Sequence, residues 1–118
     1  VEKAEEALQA GDFTQVEHSA RRALKGFPRH RYGRFFLSVG LLSQGRLEES
    51  IRENERLLSD HPDFDEGWLQ LANAYETAGD PERALIAYSR LVQRASDPAL
   101  RSLAKERRAR LLGEQEGS

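Results

Sequence analysis

Three glycines, Gly11, Gly45 and Gly79, stand 34 residues apart, each behind one stretch of helical pattern and ahead of another. A period of that length constrains the fold more than any single residue, because each repeat is one supersecondary unit that must bury its apolar face against its neighbours. The surroundings repeat as well, in Gln9-Ala10-Gly11-Asp12-Phe13, Ser43-Gln44-Gly45-Arg46-Leu47 and Thr77-Ala78-Gly79-Asp80-Pro81. Glycine at such a place caps a helix, since it takes the left-handed conformation at little steric cost. Pro28 and Pro62 keep the same interval and close the second helix of the first two units, because proline cannot continue a helix.

Between these marks the apolar residues fall at steps of three and four: Leu37, Leu41 and Leu42, then Ile51, Leu57 and Leu58, then Trp68, Leu71, Ala72 and Tyr75, then Ala84, Leu85, Tyr88, Leu91 and Val92. That spacing marks amphipathic helices and leaves few strand signals. It predicts helices at about 1–10, 13–26, 31–44, 47–59, 64–78, 81–94 and 98–112. The polar, glycine-flanked end, 113–118, reads as a disordered tail.

The third unit carries Trp68, Leu71, small Ala72, Tyr75, Gly79, Ala84 and Tyr88, and the second carries Leu37, small Ser38, Leu41, Gly45, Ser50, Leu57 and Pro62. The first offers Ala4, Ala7, Gly11, Phe13, Val16, Ala20, Ala23 and Pro28. With this pattern the chain resembles the tetratricopeptide repeat (TPR) family, whose unit is a 34-residue helix-turn-helix. The resemblance implies an all-α fold, a right-handed solenoid of helical hairpins. Three units are expected, at about 1–30, 31–64 and 65–96, the first truncated at its N-terminal side. A C-terminal capping helix over 98–112 completes a single domain, 1–112. Ala4, Ser38 and Ala72 are small where the two helices of a hairpin cross closely. Arg34 departs from the pattern, standing where a large apolar residue belongs, and Phe35 or Phe36 is expected to fill that place. In the last helix Leu100, Leu103, Ala104 and Leu111 form one narrow stripe on an otherwise charged surface, as a terminal cap requires.

The resemblance also implies a concave face lined by the first helix of each unit, where partners bind. The inward positions read as Tyr32, Phe35, Phe36, Val39 and Leu42 in unit two and Leu69, Gln70 and Asn73 in unit three, extended by Arg101, Lys105 and Arg108 from the last helix. On this reading Tyr32, Phe35, Phe36 and Val39 form an apolar platform, Asn73 supplies directional hydrogen bonds, and the basic end holds an acidic side chain or carboxylate of a peptide. The competing reading makes Phe35 or Phe36 simply core. A subfamily of these repeats grips chaperone tails through a lysine and asparagine clamp, and of that clamp only Asn73 is present here.

Charge narrows the remaining choices. Eighteen Lys and Arg against 20 Asp and Glu give a formal net charge of -2, so nothing draws the whole chain to nucleic acid or an anionic membrane. Arg29, His30, Arg31 and Arg34 crowd one junction, and Arg101 to Arg110 make a second basic surface; both read as solvated faces, and nucleic-acid binding is not expected. His18, His30 and His61 never place two imidazoles on one helical face, so neither a metal nor another cofactor is expected. No phosphate-cradling glycine loop, nucleophile elbow or paired carboxylates in an apolar run suggest an enzyme. No run is apolar enough to insert in a membrane, and the chain has no cysteine. The compartment stays open, with a soluble chain expected and the cytoplasm favoured. The function expected is a protein-interaction scaffold that binds a peptide or helical segment. Its alternatives are homo-oligomerisation, with a homodimer through the uncapped N-terminal edge, and a structural spacer in a larger protein.

Overall fold

A computed structural model describes residues 2–116, the side chains of 115 and 116 excepted. Seven helices and no strand occur among the described residues: α1 Glu2–Gln9, α2 Phe13–Gly26, α3 Arg31–Ser43, α4 Leu47–Asp60, α5 Asp65–Thr77, α6 Pro81–Arg94 and α7 Pro98–Glu116. Antiparallel pairs are made by α1 with α2, α3 with α4, and α5 with α6. This is the all-α, TPR-like arrangement of helical hairpins that the sequence predicts.

The hairpin corners follow from the glycines. Gly11, Gly45 and Gly79 have φ of 74°, 79° and 75°, and no other described residue has positive φ. At each corner the glycine N–H donates three residues back and the next N–H donates five back, as Gly45 to the Leu42 carbonyl at 3.0 Å and Arg46 to that of Leu41 at 2.9 Å. This is the Schellman closure, which satisfies carbonyls the ending helix would otherwise leave open. The following helix is capped at two corners by an aspartate: Asp12 accepts from the Gln15 N–H at 3.1 Å and Asp80 from that of Arg83 at 3.2 Å. At the turn between α2 and α3, His30 Nδ1 takes the same role for the Gly33 N–H at 3.0 Å.

The helices gather into two compact units that divide after Pro62. The first unit, α1 to α4, centres on Ala4, Ala7, Val16, Ala20, Phe36, Leu37 and Leu41. Its α3 lies so close to α2 that a Cβ on Gly40 would stand 3.2 Å from the Glu17 nitrogen and 3.3 Å from the Phe13 carbonyl oxygen. Gln44 Nε2 fastens the same contact by donating to Glu17 at 3.1 Å, and Arg46 adds an ion pair with Glu17 at 2.7 Å. Burial raises the Glu17 carboxyl, but the Gln44 amide, Arg21 and Arg46 outweigh it and hold the group below its ordinary value.

The second unit, α5 to α7, buries Leu71, Ala72, Ala74, Tyr75, Ala84, Ala87, Tyr88 and Leu91, with Ala104 and Leu111 contributed by α7. α7 packs on α6 and touches α5, as α3 packs on α2 and touches α1. It also runs further than predicted. The expected tail begins at Gly113, yet the helix continues through Gly113 to Glu116, because a glycine without positive φ costs a helix stability but does not end it. The last part of that tail, 117–118, lies outside the described residues, as does Val1.

Candidate functional site

On α3, Tyr32, Phe35, Val39 and Leu42 are spaced by three, four and three residues, which puts them on one stripe. Tyr32 is 42% exposed, and Phe35, Val39 and Leu42 are half-buried. Phe35 leans on the core from outside and meets Phe36 edge-on, their ring centroids 5.6 Å apart. Phe36 does not share the stripe. It is 7% exposed and belongs to the core, a correction to the expected platform. One residue further along a helix is about 100° further round, enough to turn Phe36 from the open side toward Leu37 and Leu41.

Arg34 is the second correction, because no phenylalanine has to replace it. The arginine itself is buried, its Nη1 bonded to the Glu53 carboxylate and its Nη2 donating to the Pro28 carbonyl at 2.7 Å. The long side chain fills the apolar position with its methylenes and finds polar partners for its head.

The corresponding row on α5 is one repeat further on, at Leu69, Asn73 and Glu76, with Gln70 beside it; all four are half-buried. Asn73 Oδ1 accepts from the Tyr88 hydroxyl at 3.3 Å and from Arg107 Nη1 at 2.5 Å. Glu76 accepts from the Tyr88 hydroxyl and, at 2.7 Å, from Arg110 Nη2. Burial, and after it the hydrogen bond to Glu76, push the Tyr88 hydroxyl from 10.0 up to about 12. Asn73, expected to supply directional hydrogen bonds to a ligand, thus has its side-chain oxygen engaged by the protein's own side chains.

The cations expected at this end behave differently from one another. Arg101 and Lys105 are exposed, while Arg108 is half-buried and reaches Ser89 Oγ on α6 at 3.4 Å. The cations that do meet the α5 row are Arg107 and Arg110, neither of them among the predicted residues. A signal for them exists in the sequence: Arg107 follows Asn73, and Arg110 follows Glu76, by 34 residues, the interval of the glycines.

The histidines serve the turns and surface. His61 Nε2 lies 2.7 Å from the Arg29 carbonyl oxygen, His30 caps α3, and His18 is exposed on α2. Among the described residues no three His, Cys, Asp or Glu side chains are grouped to hold a metal ion.

Hairpins of this period, closed by the same glycine turn, agree with the family comparison. Models of the tetratricopeptide repeat match residues 41–106, more than half of the chain, and residues 1–54. The chain belongs to the tetratricopeptide repeat family. No curated protein matches it. Tetratricopeptide repeats are in general non-catalytic modules of protein–protein interaction, so the partners implied for this TPR chain are proteins. None of its described helices is long and apolar enough to cross a membrane. The chaperone-tail clamp known within the TPR family has only Asn73 to draw on here, and that residue is already bonded to Tyr88 and Arg107.

Proposed function

We propose that this TPR chain is a non-catalytic scaffold that binds a peptide or helical segment of a partner protein along the first helices of its hairpins. The observation that carries the reading is the α3 stripe of Tyr32, Phe35, Val39 and Leu42, apolar along its length and only partly covered. A half-covered row of large apolar side chains is the kind of surface on which a helix or extended segment buries its own anchors. In the second unit, taken by itself, Leu69 and Gln70 on α5 are half-buried, and exposed Arg101 and Lys105 on α7 are available to a partner carboxylate. Phe36 and Arg34 serve the fold rather than the ligand.

The test is capture of a partner by the wild-type chain beside Tyr32→Ala and Val39→Asp variants, with crosslinks mapped on the captured complex. Retention by the wild type alone, with crosslinks on α3, supports the reading; equal retention by the folded variants contradicts it. Self-association is the competing use of the same stripe. Mass measured over a range of concentration separates the two, since a dimer abolished by Val39→Asp favours assembly.

A further inference from the structure

Between Glu17 and Glu48 the sequence contains no acidic residue, yet it holds Arg21, Arg22, Lys25, Arg29, Arg31, Arg34 and Arg46. Some of these cations are matched from elsewhere in the first unit: Arg21 and Arg46 by Glu17, Arg34 by Glu53 and Arg29 by Asp60. The turn from α2 to α3 adds something a solvated charged face does not have. Phe27 stands there 69% exposed, an apolar ring in open water. It is firmly held, since its N–H donates to the Ala23 carbonyl at 2.9 Å and its own carbonyl accepts from the His30 N–H at 3.0 Å. The rings continue from it, Phe27 to His30 and His30 to Tyr32, each step 6.4 Å between centroids. The same repeat positions hold His61 and Ala95 in the later hairpins, where His61 bonds the Arg29 carbonyl and Ala95 is 3% exposed. An outward aromatic is thus particular to this corner.

We propose that the corner around Lys25, Phe27, Arg29 and His30 docks an acidic segment of a partner protein that carries an aromatic side chain among its carboxylates. Charge complementarity chooses this occupant. Exposed Lys25 and Arg29 stand two residues before and after the exposed Phe27 ring in the chain, and a carboxylate-flanked ring can return both kinds of contact. Asp60 already demonstrates the grip, its carboxylate 3.1 Å from Arg29 Nη2. The Arg29 side chain is 79% exposed, so this ion pair is weak and an incoming carboxylate competes for it. A single-stranded nucleic acid shares the chemistry of negative charge beside a flat ring, but a short corner suits a short peptide better than a phosphate chain that needs many cations.

The probe is a short fluorescent peptide alternating aspartate and glutamate around one phenylalanine, titrated into the full chain. The proposal expects saturable binding that weakens with salt. Phe27→Ala is expected to weaken it about tenfold, and Lys25→Glu by a comparable factor. Asp60→Asn, which releases Arg29, is expected to tighten it, by about threefold. Because Phe27 is so exposed, its variant should keep the wild-type circular dichroism and melting temperature. Equal binding by Phe27→Ala, or by a peptide with alanine in place of its phenylalanine, overturns the proposal. So does an oligothymidylate that binds more tightly than the peptide.

Discussion

The α3–α4 and α5–α6 hairpins share one backbone plan but fill it with opposite chemistry. Arg34, Ser38, Ser50 and Asn54 in the first stand at the repeat positions of Trp68, Ala72, Ala84 and Tyr88 in the second. In α5–α6 the same repeat positions hold two alanines at 0% exposure, and the buried Tyr88 ring sends its hydroxyl to Asn73 and Glu76. In α3–α4 the crossing is a pair of serines, their Oγ atoms 3.1 Å apart, with Ser50 donating to the Ser38 carbonyl at 2.8 Å. Asn54 is also at 0% exposure, and neither of its side-chain polar atoms finds a partner among the described residues. A helical hairpin therefore tolerates either filling, provided the side chains at the crossing are small. The polar filling depends on partners that must all be present, and at Asn54 they are not.

The largest way to disturb this contrast is to remove one half of the buried pair. Arg34→Ala leaves the Glu53 carboxylate and the Pro28 carbonyl without their donor and is expected to cost about 3 kcal/mol in chemical denaturation. Replacing Arg34 and Glu53 together by methionine and leucine should restore most of that loss, because no charge is then stranded. If the double variant is no better than the single one, the pair is not what holds this position.

Overpacking sharpens the other side. Ala72→Leu forces a larger side chain into the α5–α6 crossing and should cost about 2 kcal/mol, read as a fall in melting temperature. An unchanged melting temperature would mean that Ala72 is not at the crossing. Smaller and opposite in sign, Asn54→Leu removes two unpaired polar atoms at similar volume and should stabilise the chain by about 1 kcal/mol.

The least disruptive probe is pH, which acts on the two units in opposite directions. The carboxyls held low all lie in the first unit: Glu17 despite its burial, through Gln44, Arg21 and Arg46; Glu49 through Arg46; and Asp60 through Arg29. A depressed carboxyl stabilises the fold fully above its unfolded value, and the contribution is lost as pH falls through the folded one. Tyr88 has the opposite sign. Its contribution is complete below 10.0 and is lost as pH rises toward about 12. Backbone signals followed by nuclear magnetic resonance should therefore weaken first in α2 to α4 on acidification and first in α5 and α6 on alkalinisation.

Much of this was legible in the residues and some was not, for physical reasons. Corners at Gly11, Gly45 and Gly79 were readable because only glycine is comfortable at positive φ, and most helix limits came within two residues for the same reason. The Arg34–Glu53 pair was not readable, since apolar periodicity registers a charged residue only as a fault and says nothing of a partner 19 positions away. Which of Phe35 and Phe36 joins the core is not legible, because two adjacent phenylalanines offer the same hydrophobicity to neighbouring helical faces. Arg107 and Arg110 are not distinguished from Arg101, Lys105 and Arg108 by charge pattern alone, because all five cations lie outside the narrow apolar stripe of α7. Adding one repeat length to Asn73 and Glu76 would have singled them out.

Residue-resolved amide hydrogen exchange of the free chain tests the contrast between the hairpins most directly. The account predicts that the interior amides of α3 and α4 open at lower free energy than those of α5 and α6, and that Asn54→Leu narrows the gap. Equal protection of the two hairpins in the wild type, or a gap that Asn54→Leu leaves unchanged, would contradict it.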